Sequence, residues 1–165
     1  MGRPIGGESQ GRSAVKAVIV CVSEAHGNTR KVAEVVAEVV GAQVVDPDQV
    51  GAADLAAFDL VGFASGIRWL AFHPRLRRFV AGLPAGASRK AFVVATSGLP
   101  EPPFRRYLGG FEKTLAAKGF DVLGTYSCRG LDTYPPFGLF GGLNNGHPDA
   151  ADLAAARSFA EQLRG

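Results

Sequence analysis

The sequence predicts a doubly wound α/β domain, a three-layer sandwich in which helices cover both faces of a five-stranded parallel sheet. Three observations lead there. Apolar, β-branched runs alternate with amphipathic helical patterns along nearly the whole chain. The runs are apolar throughout rather than alternating, as strands buried on both faces are. Five such runs are separated by four helical patterns, which implies right-handed crossovers and parallel pairing.

Val15 to Val22 is the first such strand. From Thr29 to Val40, Val32, Val35, Val36, Val39 and Val40 fall at the spacing of one helical face, and Gly41 supplies the stop. Ala42 to Asp46 reads as a short strand, and Asp59 to Ser65 as the third. Pro74 opens a helix with Leu76, Phe79, Val80 and Leu83 on its inner face. Lys90 to Thr96 and Asp121 to Cys128 are the last two strands. Between them the pattern predicts a helix over 104–118, with Phe104, Leu108, Phe111 and Leu115 inward and Gly119 ending it. Asp149 caps a final helix that buries Leu153, Ala156, Ala160 and Leu163.

At 165 residues, 47% hydrophobic and 20% charged, the chain has the size and composition of one folded domain, expected over 14–165 behind a polar, glycine-rich arm at 1–13. That arm has no apolar core of a signal peptide, and Lys16, Glu24, Asp46, Asp59 and Arg68 interrupt every apolar stretch well before the length of a membrane span. The expectation is a cytoplasmic protein without a membrane partner. Cys21 and Cys128 end separate strands and read as two reduced thiols; alone they cannot build a four-cysteine zinc site. The formal net charge is +3, but Arg68, Arg75, Arg77, Arg78, Arg89 and Lys90 fall in a stretch, 60–100, that has no acidic residue. One region should therefore be basic, either as a solvated face or as a docking surface. It matches no recognised nucleic-acid-binding module, which argues against nucleic acid.

In a sheet of this kind the ligand sits beyond the carboxyl ends of the strands. The first loop there is Ser23, Glu24, Ala25, His26, Gly27, Asn28, Thr29. Hydroxyls, small residues and the amides of a helix start form a phosphate cradle. Neither a Walker Gly-Lys-Ser/Thr nor a Gly-x-Gly-x-x-Gly occurs in it. A low-molecular-weight phosphatase loop would need an arginine where Gly27 stands, and the acidic pocket and lysine of a response-regulator receiver are missing. No Ser/His/Asp or Cys/His arrangement and no carboxylate pair is spaced for catalysis, so any chemistry belongs to a cofactor.

The loop resembles that of the flavodoxin family, Ser/Thr-x-Thr-Gly-x-Thr between the same elements. Gly27, Asn28 and Thr29 match it, His26 replaces a hydroxyl, and Ser23 stands one place early. The resemblance runs from Val15 to Leu163 and implies a strand order of 2-1-3-4-5 with FMN bound at the loops. It implies that Ser65, Gly66, Ile67, Arg68 and Trp69 lie along the isoalloxazine ring, where Trp69 either stacks on the flavin or packs in the core. Thr96, Ser97 and Gly98 would face the pyrimidine edge, without the tyrosine that many flavodoxins carry in that loop. Arg129, Gly130 and Asp132 follow the fifth strand and lead into a long loop, 129–148, that resembles a short flavodoxin-like subgroup with a Gly-His-Pro turn before its last helix. The resemblance implies an FMN electron carrier, whose basic stretch would meet a redox partner with an acidic docking face. The alternatives are an NAD(P)H-dependent quinone or protoporphyrinogen-type FMN oxidoreductase, with Arg68 or Arg129 on a dinucleotide phosphate, and a flavin-free binding module.

Overall fold

The computed structural model describes residues 15–23, 27–130 and 146–164. Its elements run β1 (Ala17–Val22), α1 (Asn28–Val40), β2 (Ala42–Val45), a 3-10 turn (Pro47–Gln49), α2 (Ala52–Leu55), β3 (Leu60–Arg68), β4 (Ala71–Phe72), α3 (Pro74–Ala81), β5 (Lys90–Ser97), α4 (Tyr107–Ala117), β6 (Asp121–Arg129) and α5 (Ala150–Arg164). Five strands form the parallel sheet in the order β2-β1-β3-β5-β6, and β4 pairs with β3 outside that path. With the two-residue β4 set aside, this is the expected 2-1-3-4-5 order.

Alternate side chains of each strand feed two cores. Val18, Val20 and Val22 of β1, Val61 and Phe63 of β3 and Val93 of β5 pack with Leu76 and Val80 of α3 and Phe111 and Leu115 of α4. Ala17, Ile19 and Cys21, with Ala64, Phe92 and Val94, pack against Val32, Ala33 and Val36 of α1 and Ala156 and Ala160 of α5. The unbroken apolar strands thus have a helical layer on each side, which is why their sequences do not alternate. Gly62 is forced by register: it lies beside Phe92 on the neighbouring strand, and a Cβ there would come within 2.4 Å of the phenyl ring.

Three expectations are corrected. β3 continues to Arg68 because its end folds back onto β4 as a hairpin, with Ile67 beside Phe72 and Arg68 beside Ala71. The fourth long helix starts at Tyr107, not Phe104, which is 81% exposed. Pro102 and Pro103 lead into a turn closed by the Arg105 N–H on Pro102 O at 3.2 Å, and Glu101 reaches forward to accept from the Leu108 N–H at 2.7 Å, serving the helix start. Tyr107 takes the buried position instead. The last helix is capped as expected: Asp149 Oδ1 accepts from the Asp152 N–H at 2.9 Å, and Asp152 Oδ2 from the Asp149 N–H at 2.8 Å. Third, Leu153 and Leu163, expected to be buried with Ala156 and Ala160, are only half-buried against the second core, at the rim of the helix face that the two alanines bring against the sheet. The expected arm at 1–13 lies outside the described residues.

Candidate functional site

Where β1 ends, the chain must turn sharply into α1. Gly27 does so with φ +69°, in the left-handed region that glycine enters without a Cβ penalty. Ser23 then accepts from the Arg30 N–H at 3.2 Å, occupying one of the donors that a helix start leaves open. The next residue inward is Thr29, 2% exposed, whose Oγ1 lies 2.7 Å from Oγ1 of Thr96 at the end of β5. Gly66, at the end of β3, stands beside Thr96 in register, and a Cβ on it would lie 3.6 Å from the Thr29 hydroxyl. Gly130 donates its N–H to Ser97 O at 3.0 Å, and a Cβ there would fall 2.8 Å from Nδ2 of Asn28. Residues far apart in sequence, Gly27, Asn28, Thr29, Gly66, Thr96, Ser97 and Gly130, therefore meet at the carboxyl edge of β1, β3, β5 and β6.

The two threonines carry a consequence of hydroxyl chemistry. One must donate to the other, and the accepting hydroxyl keeps its own hydrogen for a further acceptor. Among the described residues that hydrogen has no acceptor, although both side chains are buried. A donor beside a helix start suits an acceptor-only anion such as a phosphate.

The remaining hydroxyls are committed to the loops themselves. Ser65 donates to Gly66 O at 2.9 Å and accepts from the His73 N–H at 3.2 Å. Ser97 donates to Leu99 O at 2.7 Å. These two shape the backbone whose amides line the edge.

Trp69 is not a core residue. It is 88% exposed, and with Leu70 it makes the two-residue turn between β3 and β4, φ being +55° and +59°. Tight hairpins favour positive φ at both turn positions, normally met by Asn-Gly; a tryptophan and a leucine hold it at a cost of about 1–2 kcal/mol each. Strain of this kind collects where a side chain is presented for a purpose. Ile67 is half-buried against the first core, while Arg68 is exposed. Gly98 lies partly exposed on its loop, whereas Arg129, expected after the strand, is the last residue of β6 and pairs in register with Ser97. Glu24, His26 and Asp132 fall outside the described residues, as do 131–145 of the long loop.

The basic stretch is partly neutralised. Arg75 pairs with Asp46 and Asp48, which follow the carboxyl end of β2, at 2.5 and 2.9 Å. Burial works against the charge of Asp46, yet the Asp48 N–H and the Arg75 guanidinium hold its carboxyl below the ordinary range. Burial also pushes the Cys21 thiol to about 12 and the Cys128 thiol to about 11, so both free cysteines stay protonated and unreactive.

Sequence reasoning left the Gly-His-Pro turn without a role, and the structure gives it one. His147 Nδ1 lies 2.6 Å from Asp152 Oδ2, and Tyr126 of β6 donates to Asp152 O at 2.6 Å, so the turn fastens the start of α5 to the sheet edge. Asp149 brings a third ligand-type atom into the same small space, but its other oxygen and Asp152 are already the reciprocal cap. The spacing of His147 and Asp152, five residues apart across a helix start, was the available signal.

A doubly wound domain whose site is a hydroxyl-bearing first loop, two glycine-bearing strand ends and an exposed tryptophan belongs to the class of nucleotide- and flavin-type α/β binding folds. The comparisons make this specific. Residues 19–116 match a family model described as a flavodoxin domain, and the chain belongs to that family. An uncharacterized protein of Methanocaldococcus jannaschii is 35% identical over 151 residues, covering 90% of this chain and 98% of that one. Among solved structures, a flavodoxin of Streptococcus pneumoniae TIGR4 superposes with a TM-score of 0.67 at 18% identity, over 90% of this chain and 97% of that one. An NADH:FMN oxidoreductase, EmoB, in its apo form does so with a TM-score of 0.67 at 15% identity, over 91% and 88%. At these identities the two structures speak for the fold alone.

Proposed function

We propose that this protein binds FMN at the carboxyl edge of the sheet and carries electrons to a partner protein. The observation that supports it most is the buried Thr29–Thr96 pair, which among the described residues leaves a hydroxyl hydrogen without an acceptor beside the start of α1. The ribityl phosphate is an acceptor-only group and takes that hydrogen, together with the amides that Gly27 turns outward. When bound, FMN supplies transfer of one or two electrons, which no side chain of this chain can supply.

The residues of the chain bind and orient. Gly66 and Gly130 keep the two sides of the edge free of side chains, so a flat ring can lie against backbone. Ser97, fixed to Leu99 O, holds the loop after β5 in place for the ring's polar edge. Trp69 presents an indole plane from a strained, rigid turn, and stacking on it excludes water from one face of the ring. Arg68, next to it, meets an acidic face on the partner, which would make association salt-sensitive.

The test is a pair of titrations on protein stripped of any flavin. FMN should bind at least about tenfold more tightly than riboflavin, since only FMN has the phosphate the threonines meet. Equal affinities would remove the phosphate cradle. With FMN bound, the carrier reading expects no NADPH oxidation with a quinone acceptor in the absence of a reductase; turnover by the protein alone would make it a reductase on this fold.

A further inference from the structure

On the opposite side of the sheet from the Thr29–Thr96 pair, a cavity of about 360 Å³ opens between β4, α3 and the first two turns of α4. Its volume lies in the range of small-ligand sites. Phe72, Tyr107 and Phe111 form its apolar floor, and Arg77, Arg105 and Arg106 line it. Each guanidinium is fixed by its Nε: Arg77 donates to Phe72 O at 3.0 Å, Arg105 to Leu70 O at 3.3 Å and Arg106 to Glu101 Oε1 at 3.0 Å. Fixing Nε holds the guanidinium plane in place and leaves its two terminal nitrogens as a fork for another acceptor.

Three cations around one small cavity repel one another, and a single carboxylate, Glu101, answers them. Among the described residues neither Arg77 nor Arg105 has an acidic partner. Tyr107 gives an independent sign. It is 8% exposed and lines the cavity, and among the described residues its hydroxyl makes no hydrogen bond. Lining an open cavity, that O–H is available to an acceptor oxygen of a ligand. The floor beneath these donors is aromatic: Phe72 stacks on Phe111 with ring centres 4.1 Å apart, and Tyr107 meets Phe72 edge-on.

We propose that this cavity binds the phosphate groups of a small phosphorylated ligand of nucleotide size, with the forks of Arg77, Arg105 and Arg106 on the phosphate oxygens and the Tyr107 hydroxyl donating to one of them. Planar forks match phosphate bidentately, which a lysine cluster would not do. The site stands on the α3–α4 face and does not depend on the flavin reading. Arg105 nevertheless ties it to the Trp69–Leu70 turn through Leu70 O.

The experiment is calorimetric titration of the purified protein, loaded with FMN and then freed of unbound flavin, by ADP, with inorganic pyrophosphate and adenosine as comparators. ADP should bind at one saturable site, pyrophosphate should compete with it, and adenosine should bind at least about tenfold more weakly. Arg77→Gln should weaken ADP about tenfold and leave FMN affinity unchanged. Tyr107→Phe should weaken ADP several-fold while the thermal midpoint stays the same or rises, because the lost hydroxyl bonds nothing among the described residues. If the protein takes up no FMN, the titration is run on it directly, and loss of ADP binding in Arg77→Gln still supports the cavity. Failure of ADP to saturate a site at millimolar concentration, failure of pyrophosphate to compete, or wild-type ADP affinity in Arg77→Gln would overturn the proposal.

Discussion

The hydroxyls of Thr29 and Thr96 lie 2.7 Å apart and out of water, joining the first turn of α1 to the end of β5 across 67 residues of sequence. This contact fixes the position of the first loop over the sheet edge. Thr29→Val keeps the shape and leaves the Thr96 hydroxyl buried without its partner, which should cost about 1–3 kcal/mol of unfolding free energy. Thr96→Val should cost a similar amount. Because the double variant leaves no unpaired hydroxyl, its loss should be clearly smaller than the sum of the two single losses. Denaturant unfolding of the four flavin-free proteins measures this, and additive losses would mean the two hydroxyls do not interact.

The same pair predicts an effect on binding. Either single valine variant should weaken FMN by roughly 1–3 kcal/mol, about 5- to 150-fold, since the phosphate loses a buried donor. Fluorescence titration with FMN reads it directly.

Trp69 is the only tryptophan, so its emission reports on one place. Exposed and fixed in its turn, it should emit as a solvated indole in flavin-free protein and be strongly quenched when FMN binds. Unchanged emission on saturation would move the ring away from the β3–β4 turn.

Two glycines should respond differently to the same methyl group. Gly62→Ala drives a Cβ into the ring of Phe92, which is wholly buried and has nowhere to move, so thermal unfolding should show a loss of about 1–3 kcal/mol or more. Gly130→Ala meets Asn28 along its side chain, Nδ2 at 2.8 Å and Cβ at 3.1 Å, and the amide end can swing aside while the Cβ cannot. Its stability should fall, by less than that of Gly62→Ala, and its FMN affinity should fall as Asn28 is displaced.

His147 and Asp152 make the start of α5 pH-dependent. The hydrogen bond to Asp152 raises the pKa of His147, which opposes a smaller effect of burial. Burial pushes Asp152 up, but the His147 hydrogen bond and the Asp149 N–H bring it below the ordinary carboxylate value of 3.8. A raised histidine contributes stability that is fully present below its unfolded value near 6.5 and lost as pH rises through the folded one. A lowered carboxylate contributes stability above its unfolded value and loses it as pH falls. The pair should therefore help most between about pH 4 and 6.5. Unfolding of wild type and His147→Gln, compared across pH, should differ most in that window; a difference that does not vary with pH would contradict the pair.

Much of this architecture is legible in the sequence for a physical reason. Buried parallel strands and helices packed on both faces each write a periodic pattern over many residues, as Val15 to Val40 does. The parts that were not legible rest on short or distant relationships. β4 is two residues long and pairs only because Trp69 and Leu70 adopt positive φ, a conformation that neither residue type announces. Phe104 sits on the helical period of α4 and yet lies outside it, since the prolines at 102 and 103 and the reach of Glu101 set the start. Arg75 belongs to a basic run by sequence and to Asp46 and Asp48 by structure. Within the site, Gly27, Asn28 and Thr29 were identifiable from their place after a buried strand, whereas the partnership of Thr29 with Thr96 depends on the β3–β5 register.

The central claim is that the carboxyl edge of this sheet holds FMN. Purified protein, freed of flavin and titrated with FMN while bound and free flavin are separated by rapid dialysis, tests it most directly. The account predicts uptake of one FMN per chain, with the released chromophore showing the mass of FMN. A protein that remains colourless, takes up no FMN at saturating concentration and is otherwise folded would contradict it.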